Sequence, residues 1–375
     1  MSDNVHIQAQ RYAQWKRRLW GLDLVLVCGV LVGWMMSGLS RTAASWVMLH
    51  FIPWPMQVAV YGSFLGAILT VVEFPLDGVR SFLLEHRFSL SNQTASQWLV
   101  EYAKKLILGG LFGLVGVEAL SWLLRAAPKQ WWLWAALLWM AWSVVLTRVA
   151  PAWLIPIFYR QEPLGDSALQ KRLESLLVRC GARVSGIYQL NLSTTTKKAN
   201  ACLCGLGKSR RVLVSDTLLS VYPLEEVEVV LAHEVGHHQL HHIGILLALE
   251  TVASGVSFFL VDAGVRAWAG GIGIASLLDL AALPAIGLGL VAANLSLMPV
   301  THGISRRLEA QADGFALEKT QNVQAFVNTM RRLSEQNLAE IQPPRWVEWL
   351  LYDHPPIAKR IAAAQAWMKP AQRTA

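Results

Sequence analysis

Residues 223–242 read PLEEVEVVLAHEVGHHQLHH. Pro223 suits the first turn of a helix, where no N–H is needed, and Glu225, Glu226 and Glu228 complement the positive end of the helix dipole. His233 and His237 are four apart, so on a helix they share a face and both imidazoles can reach one Zn²⁺. Glu234 lies between them, where it can contact a water at the metal. His237 and His241 are also four apart, but that pairing leaves no Glu in the water-activating position. His238, His241 and His242 are therefore expected as polar residues at a helix end near a membrane surface. The helix is expected to run to about residue 242 and into the apolar stretch that follows.

That stretch is one of several. Hydrophobic residues make up 54% of the 375 residues, charged residues only 15%, and there are 17 Trp. Trp concentrates at membrane–water boundaries. Segments 19–39, 56–76, 106–124, 131–150, 243–263 and 273–298 each approach the ~20 residues that a helix needs to cross a bilayer. Lys16, Arg17 and Arg18 precede the first, which reads as an uncleaved anchor because its apolar run is long and Arg41 interrupts the region where a cleavage site would lie. Lys and Arg crowd the N-terminus, the 77–105 loop, the 151–240 region and everything after 300. The opposite loops hold only Arg41, Arg125, Lys129 and Arg266. By the positive-inside rule both termini and the 151–240 region are cytoplasmic. The net charge of +8 fits that retention. No basic stretch is interleaved with a nucleic-acid-binding motif, so no nucleic-acid partner is expected. Four Cys are too few and too oddly placed for a disulfide framework. Cys202 and Cys204 would share one face of a strand, at a spacing unlike that of zinc ribbons.

The chain thus divides into an N-terminal membrane part (1–150, about four spans), a polar part (151–242) ending in the metal-binding helix, a transmembrane hairpin (243–299) and a helical C-terminal part (300–375). Within 151–242, residues 166–180 read as an amphipathic helix started by Asp166 and stopped by Gly181. Residues 184–192, 199–204 and 210–215 read as short strands. A metal needs a third ligand. Glu309 and Asp313 are four apart on a helix, so one carboxylate can bind the metal while the other orients a ligand imidazole. His302 lies two turns before Glu309 and has no assigned role.

Beyond the His pair, the chain carries Asn200-Ala201 with Gly205, then Arg211-Val212-Leu213-Val214-Ser215-Asp216-Thr217-Leu218-Leu219. Further on come Glu309-Ala310-Gln311-Ala312-Asp313-Gly314-Phe315-Ala316 and His354-Pro355-Pro356 with Arg360. Upstream it carries Glu85-His86-Arg87-Phe88-Ser89-Leu90 and Gln93-Thr94. In this combination the sequence resembles the type I CAAX prenyl endopeptidases and their bacterial membrane relatives, including the heat-shock membrane protease group. The resemblance covers most of the chain from about residue 70. It implies a mainly α, multi-spanning helical membrane protein with a small α+β zinc-peptidase domain at the cytoplasmic face. One Zn²⁺ per chain would be held by His233, His237 and Glu309, with Asp313 behind them. Glu234 would be the general base. His354 and Arg360 would face the active site and hold substrate carbonyls or the oxyanion. Asn200 and Ala201 match a strand whose edge binds peptide by main-chain pairing. The implied partners are a peptide or protein substrate and the lipid bilayer, in the cell inner membrane if the source is bacterial. Two features differ from the prenyl proteases: Cys202-Leu203-Cys204 stands where they tend to have aromatic residues, and six spans are read where the eukaryotic branch has seven.

Two other classes fit less well. A membrane scaffold or holdase with a vestigial metal site has no need of the intact Glu234. A transporter should carry intramembrane charges along several helices and an internal repeat; Asp23, Glu73, Glu118, Glu250, Asp262 and Asp279 lie mostly near predicted ends, and no repeat is read.

Overall fold

The structure, a computed structural model, describes residues 3–165, 167–272 and 276–371. Among the described residues, six helices are long and apolar enough to cross a membrane. They are α1 (Asp3–Met36), α3 (Trp54–Gly78, continued to Arg87 through a π-helical turn at Val79–Leu83), α4 (Ala95–Ala126), α5 (Trp131–Val149), α8 (His242–Ile272) and α9 (Leu283–Thr320). Helix α2 (Leu39–His50) joins α1 to α3. Its 12 residues rise only about 18 Å, too little for a ~30 Å hydrocarbon core. Six helices of span length thus match the six segments expected from the sequence, although the last reaches well past residue 298 and residues 273–275 of its expected range lie outside the described residues.

Neighbouring spans close a ring: α1 packs on α3, α3 on α4, α4 on α5, α5 on α8, α8 on α9, and α9 back on α1. In five of the six, only 6% to 11% of the most apolar window is buried. A cavity of about 600 Å³ opens between α5, α8 and α9, lined in part by Glu250, Ser257, Asn294 and His302 and reaching Asp353.

The polar part is a four-stranded sheet in the order β1 (Gln161–Pro163), β2 (Ile187–Leu190), β4 (Arg211–Ser215), β3 (Ala201–Cys204). Strand β2 runs parallel to β4, and the outer strands are antiparallel to their neighbours. Three strands fall where alternation predicted them, though shorter, and β1 was not anticipated. Helix α6 (Ser167–Arg179) is the expected amphipathic helix; Asp166, its expected start, lies outside the described residues, and Gly181 ends it at φ 69°. Helix α7 (Leu224–Gln239) packs on β3 and on the C-terminal helix α10 (Val323–Asn337), while α11 (Arg345–Leu351) packs on α9, and α12 (Ile357–Ala371) on α10 and α9. Leu173, Leu176, Val212, Leu218 and Phe326 form the fully buried centre of this layer. Glu226 in the first turn of α7 takes a two-pronged bond from Arg332 of α10, at 2.8 and 3.3 Å.

One expectation is corrected. Helix α7, which carries His233 and His237, does not run on into the fifth span. It stops at Gln239, His241 adopts a left-handed backbone with φ 60°, and α8 starts afresh at His242. A non-glycine residue in that region is uncommon, and here it re-aims the chain from the peptidase layer into the membrane.

Candidate metal centre

Two long elements make the site. Helix α9 has 38 residues and rises about 57 Å, so it crosses the apolar core and still carries Glu309 and Asp313 beyond it. Helix α7 crosses α9 at close range because the residues between them are small. A Cβ on Gly236 would meet Phe315 at 3.2 Å and the Ala312 backbone at 3.3 Å. Ala232, Ala312 and Ala316 are fully buried.

This crossing brings His233, His237 and Glu309 together. His233 Nε2 lies 3.2 Å from His237 Nε2 and 3.2 Å from Glu309 Oε2, and His237 Nε2 lies 3.4 Å from Glu309 Oε1. A tetrahedral site with ligand bonds of about 2.0–2.1 Å has edges of about 3.3–3.4 Å, so the donor atoms stand at the mutual spacing of three corners. Glu309 Oε2 is buried and accepts no hydrogen bond. A buried carboxylate oxygen in that state is costly unless a cation sits beside it. Spacing, donor set and orphaned oxygen all fit a divalent metal. Among the described residues this is the one His/Cys/Asp/Glu group so arranged. The four cysteines are free, and Cys202 and Cys204 have no part in it.

The surrounding groups are ordered. His233 Nδ1 is 2.9 Å from Asp313 Oδ1, and an ionised carboxylate there holds the proton on Nδ1 and frees Nε2. Arg360 grips the same carboxylate. Its guanidinium is thus engaged with Asp313 and reaches His233 through that residue. His354 Nε2 approaches Glu309 Oε1 to 3.3 Å, while its Nδ1 bonds Asp353 at 2.8 Å. The Asp353 carboxylate pushes the His354 pKa above its usual value. The end of α11, just before His354, is pinned by α9: His302 Nδ1 bonds the Leu350 carbonyl at 2.8 Å, and Arg306 donates to the Glu348 and Tyr352 carbonyls at 2.9 and 2.5 Å. His302, left without a role by the sequence, positions that segment.

Glu234 points from α7 to the edge strand, where its Oε2 accepts from the Leu203 N–H at 3.4 Å. Burial raises its pKa above the usual carboxylate range. His238 holds the same residue, with Nε2 at 2.7 Å from the Leu203 carbonyl. These bonds reveal the parity of β3. Asn200 bonds inward to Ser215 through both its N–H and its carbonyl, at 3.0 and 2.9 Å. Ala199, Ala201 and Leu203 therefore face outward. Asn337 occupies both main-chain groups of Ala199, at 2.9 and 3.2 Å. Of the two residues matched to a peptide-binding edge, Ala201 turns its main chain to the open side and Asn200 does not. The approach to β3 is held by the membrane part: Lys198 pairs with Glu85 at 2.7 Å and bonds the Tyr12 hydroxyl at 2.8 Å, and the Lys197 N–H donates to the Leu90 carbonyl at 2.9 Å.

Known proteins share this architecture along its length. The profile of peptidase family M48 matches residues 163–368, and that of the CAAX prenyl protease N-terminal region, described as five membrane helices, matches residues 1–160. In the latter stretch the chain has four helices of span length and the short α2. The chain is 26% identical over 362 residues to an uncharacterized metalloprotease, YhfN, of Bacillus subtilis, covering 95% of this chain and 84% of that one. It is 26% identical over 355 residues to a CAAX prenyl protease 1 homolog of Caenorhabditis elegans, covering 84% and 78%. The fold superposes on the crystal structure of S. mikatae Ste24p with a TM-score of 0.86 at 21% identity, covering 97% of this chain and 90% of that one. The chain belongs to peptidase family M48 and is a membrane metalloendopeptidase of the CAAX prenyl protease type.

Proposed function

We propose that the protein is a zinc-dependent endopeptidase that hydrolyses peptide bonds in flexible or membrane-associated polypeptides at the cytoplasmic membrane boundary. The observation that carries this reading is the 3.2–3.4 Å mutual spacing of the His233, His237 and Glu309 donor atoms, with Glu234 beside them. When bound, zinc supplies Lewis acidity toward water and toward the scissile carbonyl. Glu234 accepts the proton of the attacking water and returns it to the leaving amide nitrogen. As Glu234 turns to that task, the Leu203 N–H is released to the substrate. His354 Nε2 lies close enough to Glu309 to donate to an oxyanion developing at the site. The outward main chain of Ala201 pairs with an extended peptide, which needs little side-chain preference. Asp313 and Arg360 keep His233 oriented. The spans around the cavity exclude bulk water and admit substrate along the membrane. Several relatives are named CAAX prenyl proteases, and prenylated C-termini are one such class of membrane-associated substrate. The basic loops support a cytoplasmic site.

The test is Glu234→Gln, which keeps the size of the side chain but cannot take the proton. Zinc content should stay at one per chain while cleavage of a flexible reporter peptide falls about 10²–10⁴-fold. Full zinc with parental cleavage would sink this mechanism. A parent that holds zinc but cleaves no peptide would favour the scaffold reading instead.

A further inference from the structure

His242 is fully buried at the start of α8, and both of its ring nitrogens have partners. Its Nδ1 lies 3.1 Å from His237 Nδ1, and its Nε2 lies 3.0 Å from Gln311 Oε1. The break at His241 makes this possible. On a continuous helix, residues five apart stand about 140° from one another and do not meet, so the left-handed His241 is what folds the His242 ring back under His237.

A proton count gives the contact a direction. A neutral imidazole carries one N–H. An amide oxygen can only accept, so His242 carries its proton on Nε2 and presents a lone pair at Nδ1. His237 must then donate from Nδ1, which leaves its Nε2 bare. That is the nitrogen 3.2 Å from His233 Nε2 and 3.4 Å from Glu309 Oε1. The opposite arrangement, with the Gln311 amide N–H facing His242, would drive the proton onto His237 Nε2 and block it as a ligand.

We infer that Gln311 and His242 form a two-step relay that locks His237 into the tautomer able to bind metal. It is the counterpart, for the second ligand, of what Asp313 does for His233. The two supports come from one helix: Gln311 lies between Glu309 and Asp313, so α9 supplies one ligand and orients both of the others. Gln311 and His242 act as positioning residues and touch no substrate. The inference rests on the zinc reading proposed above.

The experiment uses the full-length zinc-loaded protein in detergent and measures the rate of zinc release to an excess of chelator, with the thermal midpoint of the zinc-free form as a folding control. Gln311→Leu and His242→Phe should release zinc about 10–100-fold faster than the parent, with the zinc-free midpoint little changed. Gln311→Glu, an acceptor in the same place, should release zinc no faster than the parent. Parental release from Gln311→Leu would overturn the relay. Equal acceleration in Gln311→Leu and Gln311→Glu would overturn its direction. Should His242→Phe fail to fold, the Gln311 pair decides, since that side chain is exposed on α9. A parent with no zinc at all would overturn the zinc reading together with the relay; a parent holding one zinc, with parental release in Gln311→Leu, would overturn the relay alone.

Discussion

Arg360 closes on Asp313 with two bonds, Nε to Oδ2 at 2.7 Å and Nη2 to Oδ1 at 2.5 Å, and both side chains are only 10% exposed. The Oδ1 that takes the second bond is also the atom 2.9 Å from His233 Nδ1. One carboxylate oxygen therefore serves a guanidinium and a ligand imidazole. The fork sets the plane of the carboxylate, and the carboxylate sets the tautomer and tilt of His233. Arg360 is thereby joined to His233 through Asp313.

Because the two residues act as one unit, their losses should not add. Arg360→Met and Asp313→Ala should each weaken zinc binding by about 10–100-fold. The double variant should be no weaker than the worse single one. Zinc titration of the purified proteins measures this. Losses that multiply in the double variant would mean that Arg360 contributes by another route.

Ligand identity separates two residues that sequence spacing left in competition. Glu309→Ala removes one of three donors and should strip most of the zinc. His241 stands outside the cluster at the helix break, so His241→Ala should keep a full complement. Metal analysis of the two variants decides it, and the reverse pattern would refute the ligand set.

Substrate pairing through Ala201 is tested by Ala201→Pro. Proline is tolerated on an edge strand where its missing N–H faces outward, so β3 should keep its pairing with β4. One main-chain bond to substrate is lost, worth about 1 kcal/mol. KM for a flexible peptide should rise roughly fivefold, with zinc content parental. An unchanged KM would remove Ala201 from the binding edge.

Orientation is tested by single cysteines in a background with all four native Cys replaced by Ser. Glu318→Cys lies on the peptidase side, at a side chain 63% exposed, and Ser37→Cys lies at the exposed turn between α1 and α2. In intact cells an impermeant thiol reagent should label Ser37→Cys and spare Glu318→Cys. Labelling of the latter would invert the topology.

The sequence by itself determined every feature that a local period can write. Helical spacing of four put His233 beside His237 and Glu309 beside Asp313, and apolar runs of the right length marked six spans. Alternation found β2, β3 and β4. What it could not write was how one face meets another. His242 was read as a polar helix end because an unbroken helix would turn it away from His237; the left-handed His241 reverses that, and no residue type announces it. Likewise, Arg360 meets Asp313, and His354 meets Glu309, across 47 and 45 residues of chain. The second contact is supported by the bonds of His302 and Arg306 to the carbonyls of Glu348, Leu350 and Tyr352, which hold α11 and the turn after it against α9. His233 and His237 were legible because they are neighbours on one helix, and Glu309 was singled out from Asp313 only by the family resemblance. Their orientation was left to the tertiary structure, because the proton on a ring nitrogen is placed by whatever packs behind it.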